Sequence, residues 1–216
     1  MRFRLATPVV TLAILAVPGF GAVITETIGT PNYTNGQVVG SATFALNPSG
    51  DPVPFDRVIG ADVAGPNFSA SWTFNTYGPV VGTISSATLL IASWDFDTNN
   101  TSGSQVASFD MNGTNLATIL NTAFTSNRNL ANNEIRWYTI SLPGSAFAQL
   151  ATGSATFNLA LQNGRGLFGG TQFNGGGMDF STLTVNAAAP TPEPSAAFAA
   201  IGGLAAFALA RRKRSA

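Results

Sequence analysis

The 216-residue chain contains no cysteine and no histidine, and its one lysine is Lys213. Without cysteine there are no disulfides, thiol nucleophiles or thiolate metal sites. Without histidine there is no imidazole zinc ligand and no Ser-His-Asp or Cys-His machinery. The body of the chain also has no lysine for Schiff-base chemistry, so carboxylates, hydroxyls and arginines are what remain. Charge is scarce as well: 9% of residues are charged, and the formal net charge is zero. That zero hides a division. Arg2, Arg4 and the run Arg211, Arg212, Lys213 and Arg214 hold six of the ten cations. Between Ala22 and Ala189, Arg57, Arg128, Arg136 and Arg165 stand against Glu26, Asp51, Asp56, Asp62, Asp95, Asp97, Asp110, Glu134 and Asp179, a net of −5. Such a domain has no electrostatic footprint for nucleic acid and no basic patch for anionic lipid.

What is present begins at the two ends. Arg2 and Arg4 form a positive n-region, Leu5 to Val17 an apolar run too short to span a bilayer, and Gly19-Phe20-Gly21 a small-x-small cleavage site. Residues 1–21 therefore read as a cleaved signal peptide, with Ala22 as the first mature residue. At the other end Pro192, Glu193 and Pro194 hold an extended backbone, Ser195 to Ala210 carries no charge, and four cations follow. An apolar helix stopped by a basic cluster is a membrane anchor whose cationic end stays in the cytoplasm. At ~1.5 Å per residue this helix reaches about 24 Å, short of the ~30 Å hydrocarbon core, so it spans only with snorkelling arginines and a thinned bilayer. The expected organisation is signal peptide 1–21, domain 22–188, linker 189–194, transmembrane helix 195–210 and cytoplasmic tail 211–216.

Pro-Glu-Pro, a short apolar helix and a terminal basic run, on a chain that opens with a signal peptide, together resemble a PEP-CTERM sorting signal. The resemblance covers Pro190 to Ala216, with Thr191 where that family often has Val. It implies an exported bacterial protein recognised by an exosortase, an integral-membrane cysteine protease thought to cut near the Pro-Glu-Pro. The implied itinerary runs from an inner-membrane-anchored precursor to the cell surface or extracellular matrix.

The domain between the ends reads as all-β. Gly, Asn, Ser and Thr punctuate apolar runs of strand length. Gln37–Leu46, Val53–Ile59, Ala70–Phe74 and Ile84–Trp94 are predicted strands, and Thr88 to Trp94, apolar on both parities, belongs in the middle of a sheet. Asn112-Gly113 between Val106–Met111 and Thr114–Leu120 predicts a type I′ hairpin, because both turn residues tolerate positive φ. Arg136–Leu142 and Ala155–Leu161 alternate, Ser145–Leu150 suits one helical turn, and Phe180–Val185 is a last strand. About eight short strands point to a β-sandwich of jelly-roll type. More loosely, Trp94-Asp-Phe-Asp97, Phe109-Asp-Met-Asn-Gly113 and Gly175-Gly-Gly-Met-Asp-Phe180 resemble elements of the sandwich domains that commonly precede such tails. Many carbohydrate-binding modules share that architecture, which is a likeness of fold alone.

Asp95, Asp97 and Asn99 alternate as oxygen ligands for Ca²⁺ do, with Asp110 or Asp179 as further ligands. Asn100 and Val106 replace the Gly and Glu of an EF-hand loop, and the competing reading is a solvated Asx-rich turn. Trp72, Trp94 and Trp137, with Tyr33 and Tyr77, are candidates for stacking on sugar rings, against the alternative of ordinary core aromatics. Two functions follow. One is a non-enzymatic surface or matrix protein that binds polysaccharide, with no cofactor besides a structural Ca²⁺. The other is a carboxylate-based hydrolase or lyase acting on exopolysaccharide, which needs two carboxyl groups about 5–10 Å apart across a cleft.

Overall fold

The computed structural model describes residues 21–96, 104–165 and 171–188. The expected signal peptide up to Phe20, the linker, helix and basic tail within 189–216, and Asp97 lie outside the described residues. Among the described residues no helix is long and apolar enough to cross a membrane.

The chain is all-β, built as two antiparallel sheets with a few short helices. In order come β1 (Ala22–Gly29), α1 (Ser41–Phe44), β2 (Arg57–Ile59), β3 (Ser69–Phe74), β4 (Thr83–Trp94), β5 (Val106–Met111) and β6 (Thr114–Asn115). There follow α2 (Ala117–Ser126), β7 (Ile135–Ser141), α3 (Phe147–Leu150), β8 (Ala155–Leu161), β9 (Gly164–Arg165), β10 (Thr171–Gln172) and β11 (Gly176–Ala188). One sheet runs β1-β11-β4-β7, with β2 also pairing β11; the other runs β3-β8-β5-β6; β9 and β10 pair separately. Leu89 and Ile91 of β4, Tyr138 and Ile140 of β7, and Leu183 and Val185 of β11 share one buried cluster with Trp72, Phe74, Phe109, Phe157 and Leu159 of the other sheet. Strand alternation of period two aims these residues at each other.

β4 occupies the central place that its double-sided hydrophobicity predicts. Leu89 and Ile91 face the large cluster, while Trp94 packs on the opposite side with Val39, Phe44 and Ile135. That second cluster explains why Gln37–Leu46 is not the expected strand. Val39 and Phe44 are both buried, and an odd spacing of five would send them to opposite faces of a strand. A helical turn at Ser41–Phe44 brings both inward instead, and Phe44 stacks on Trp94 with ring centroids 5.0 Å apart. Only Val38 keeps a β-bridge, to Glu134. Val53–Ile59 shrinks to β2 for a different reason. Pro52 and Pro54 lack ladder donors, and Asp56 takes a left-handed φ of 52°.

Asn112 and Gly113 adopt φ of 49° and 85°, the two positive values that a type I′ turn requires. The expected second arm, Thr114–Leu120, is corrected: pairing stops at Asn115 and α2 begins. Leu116, Leu120 and Phe124 are buried, with Ile119 and Ala123 packed beside them. That three-four spacing is helical, and Asn115 Oδ1 accepts the Ala117 N–H at 2.9 Å to start the helix. β1, to which the sequence reading assigns no strand, pairs with β11 along its whole length, from Ala22↔Ala187 to Gly29↔Phe180.

Candidate functional site

Among the described residues, a hollow beside β7 and a buried pair of carboxylates that the segment after β1 contacts bear on the candidate chemistry.

The aromatics sort first. Trp72 is buried, stacked on Phe157 and Phe109 at 5.6 and 6.4 Å. Trp94 is buried too, and its indole N–H donates to the Val39 carbonyl at 2.7 Å. Both are therefore core residues and not sugar platforms, a correction to two of the three tryptophan candidates. Tyr77 is half-buried, its hydroxyl donating to the Leu150 carbonyl at 3.0 Å. Burial, helped by the Glu26 charge, pushes its pKa up to about 12. Tyr33 is half-buried against Phe44.

Trp137 differs. It is half-buried on β7, packed against the cluster of Val39, Phe44, Trp94 and Ile135, with Phe180 edge-on at 5.4 Å. It lines a hollow of about 260 Å³ together with Asn127, Ser126 and Thr139. The C-terminus of α2 supplies Asn127, whose Nδ2 donates to the Trp137 carbonyl at 2.9 Å while its Oδ1 accepts from Arg136 Nη1 at 3.3 Å. Arg136 is in turn fixed by Glu134, Nη2 to Oε1 at 2.9 Å. Glu134 is itself nearly sealed and accepts the N–H groups of Leu130 and Ala131. The hollow is thus bordered by Trp137 and by an Asn amide that the Glu134–Arg136 ion pair holds in place.

Of the Asp-rich calcium candidates, Asp95, Asp110 and Asp179 lie within the described residues. Asp95 closes β4 in a left-handed conformation, φ 56°, with its Oδ1 accepting the Asn133 N–H at 2.6 Å. Burial raises its pKa, opposed by that bond and aided by the Asp62 charge. Asp97 lies outside the described residues. Asp110 belongs to the other sheet, where Oδ1 accepts from Gly113 N–H and Asn158 Nδ2, both at 3.1 Å, and so serves the hairpin turn. Among the described residues no three acidic, His or Cys side chains converge as a metal set.

Asp179 joins a different partner, Asp56. Both are fully buried. Asp179 is the extra residue where the β11–β4 register shifts between Met178 and Phe180, and such bulges re-aim a side chain. Asp56 sits beside it because its N–H donates to the Met178 carbonyl at 2.7 Å and Phe55 bridges Met178. The two carboxyl groups lie within hydrogen-bonding reach of each other. Asn32 and Tyr33 donate their main-chain N–H groups to Asp179 Oδ1 and Oδ2 at 3.2 and 3.3 Å. Asn32 Nδ2 donates to Asp56 Oδ2 at 2.6 Å. Asp56 Oδ1 has no donor. Burial, and then the charge of Asp179, pushes Asp56 well above the ordinary carboxyl range; burial also raises Asp179, against the two N–H bonds. Sequence reasoning misses Asp56 and Asn32. The Pro-x-Pro-x-Asp run and the Asn after β1 carry no motif, and a long-range β-bulge is what joins them.

No family model, no curated protein and no solved structure matches the chain.

Proposed function

We propose that this chain is an exported surface or matrix protein, carried by a PEP-CTERM tail to an exosortase, and that its domain is a jelly-roll-like β-sandwich that binds extracellular polysaccharide without catalysis. The three-part order from Pro192 to Arg214 supports the sorting. β1 begins at Ala22, so removal of residues 1–21 would leave its first pair, Ala22↔Ala187, in place.

The observation that carries the binding reading is the Trp137 hollow. Trp137 beside a fixed Asn amide and Thr139 is a combination that sugar recognition uses: an aromatic residue for the ring's C–H face and polar groups for its hydroxyls. The hydrolase reading finds less support, because the carboxylates that the fold does bring together are sealed and in contact. A glycosidase needs its pair open to the sugar and about 5–10 Å apart.

Affinity electrophoresis of the full chain through gels containing the producing cell's exopolysaccharide tests this. Trp137→Ala should abolish the retardation, a loss of about tenfold or more in affinity, while Tyr77→Phe leaves it intact. Retardation unchanged in Trp137→Ala would reject the hollow as the site, and reducing ends released from the polymer would favour the hydrolase.

A further inference from the structure

We propose that Asp56, Asp179 and Asn32 form the core of a Ca²⁺ site that ties the segment between β1 and β2 to the bulge of β11. This goes beyond the polysaccharide reading and does not rest on it. It is also separate from the Asp95–Asp97 run.

Two carboxylates in contact and fully buried are costly unless a positive charge or a proton compensates them. Among the described residues no Lys or Arg forms an ion pair with either; the ion pair found there is Glu134 with Arg136. Asp56 Oδ1 is buried with no donor, in a pocket otherwise furnished with hydrogen bonds. Such an atom calls for a partner, either a proton shared with Asp179 or a bound cation.

The donor chemistry selects the partner. The side-chain donor to the pair is the Asn32 amide, and the chain offers no His or Cys. That excludes the soft and imidazole-seeking metals and leaves the hard cations. Mg²⁺ demands octahedral geometry and keeps several waters, which a fully buried pair does not readily admit; Ca²⁺ accepts an irregular shell rich in protein oxygens. Asn32 is the third ligand. Its Nδ2 now faces Asp56 while its Oδ1 accepts the Ser49 hydroxyl at 2.9 Å. A half-turn of the amide exchanges the two, turning Oδ1 toward the ion. Two carboxylates and one amide are a modest ligand set, which suits the ~10⁻⁴–10⁻³ M affinity of extracellular modules.

The same site explains the network outside it. Asp51 accepts from Thr30 N–H and Oγ1 at 2.7 and 3.0 Å, and Asn47 Oδ1 accepts the Asp51 N–H at 2.7 Å. These bonds close the 30–56 segment on itself. The ion would lock the closed segment to the sheet.

The test is thermal unfolding of the full chain in detergent at pH 7.5, with 1 mM EDTA or 10 mM CaCl₂, beside calorimetric titration with Ca²⁺. A ligand held only by the native state raises Tm by mass action, here by about 4 °C or more, and titration should give one ion per chain. Asp56→Asn and Asp179→Asn should each remove the shift, and Asp95→Asn should keep it. Should either Asn variant fail to fold, Asn32→Ala, which keeps both carboxylates, should still cut the affinity by about tenfold. Wild type with no heat of binding and no shift overturns the proposal and leaves the pair holding a proton. A shift that survives both Asn variants also overturns it, by placing the ion elsewhere.

Discussion

Asp56 and Asp179 show how strongly a few backbone contacts set the chemistry of a side chain. Neither has an unusual neighbour in sequence; a bulge and a left-handed φ put them together. With the divalent ion removed by chelator, the folded state holds a proton on the pair, because Asp56 is raised to about 7 while an unfolded Asp releases its proton near pH 4. The nearby Asp51 charge acts in the same direction. The folded chain then binds more protons than the unfolded chain across that window, so stability falls as pH rises from about 4 to about 7 and levels off above it. Tm measured in EDTA across pH 4–8 should show the decline. Asp56→Asn, which holds no titrating proton, should flatten most of it, and an equally steep decline in that variant would show that other groups are responsible.

At the scale of elements, α2 is the informative case. The sequence reading extends the Asn112-Gly113 hairpin through Leu120, since Asn-Gly stands between two apolar runs of strand length. Burial overrules that reading: Leu116, Leu120 and Phe124 face inward at helical spacing, and Phe124 lies 4.6 Å from the Tyr138 ring and 6.0 Å from that of Phe96. Phe124→Ala should therefore cost about 3–5 kcal/mol, as emptying an aromatic core site does, whereas Thr122→Ala on the exposed side should change stability little. Urea unfolding monitored by tryptophan fluorescence distinguishes the two, and a near-neutral Phe124→Ala would mean that α2 is not docked on the sheet. The strands legible in advance were those whose alternation, double-sided hydrophobicity or turn signal is local: β3, β4, β5, β7, β8 and β11. The illegible elements depend on distant partners. β1 gains its strand from β11, α1 from the underside of Trp94, and β2 is limited by two prolines and Asp56. The candidate site was legible only in Trp137 and Asp179. Gly177 illustrates the remainder, since an added Cβ would meet the Arg57 carbonyl oxygen at 2.7 Å and the Phe44 ring. The Gly-rich run before the last strand is thus where the chain lets β2 and α1 approach, and no local pattern announces those contacts.

For the whole molecule, the folded unit spans Gly21–Pro190, and the two proposed cuts fall at its margins. β1 starts at Ala22, paired with Ala187, and β11 ends at Ala188. All the ladder pairs of β1 with β11 lie between Ala22 and Ala187, so removing residues 1–21 or those after Pro190 costs none of them. The proposed processing would then be a sorting event and not a folding event. In a host with the matching exosortase, mass spectrometry should find a product that begins at Ala22, give or take two residues, and ends between Pro190 and Ser195. Its Tm should equal that of the unprocessed chain within about 2 °C, since the core cluster is untouched. Replacing Arg211, Arg212, Lys213 and Arg214 with Ser should release much of the precursor from the membrane, because the expected apolar segment, about 24 Å if helical, would hold poorly without cations at its end. A Ser variant retained and cut like the wild type would remove the cations from the sorting mechanism. A product starting at Met1 would remove the signal peptide, and with it the route to any extracellular polysaccharide.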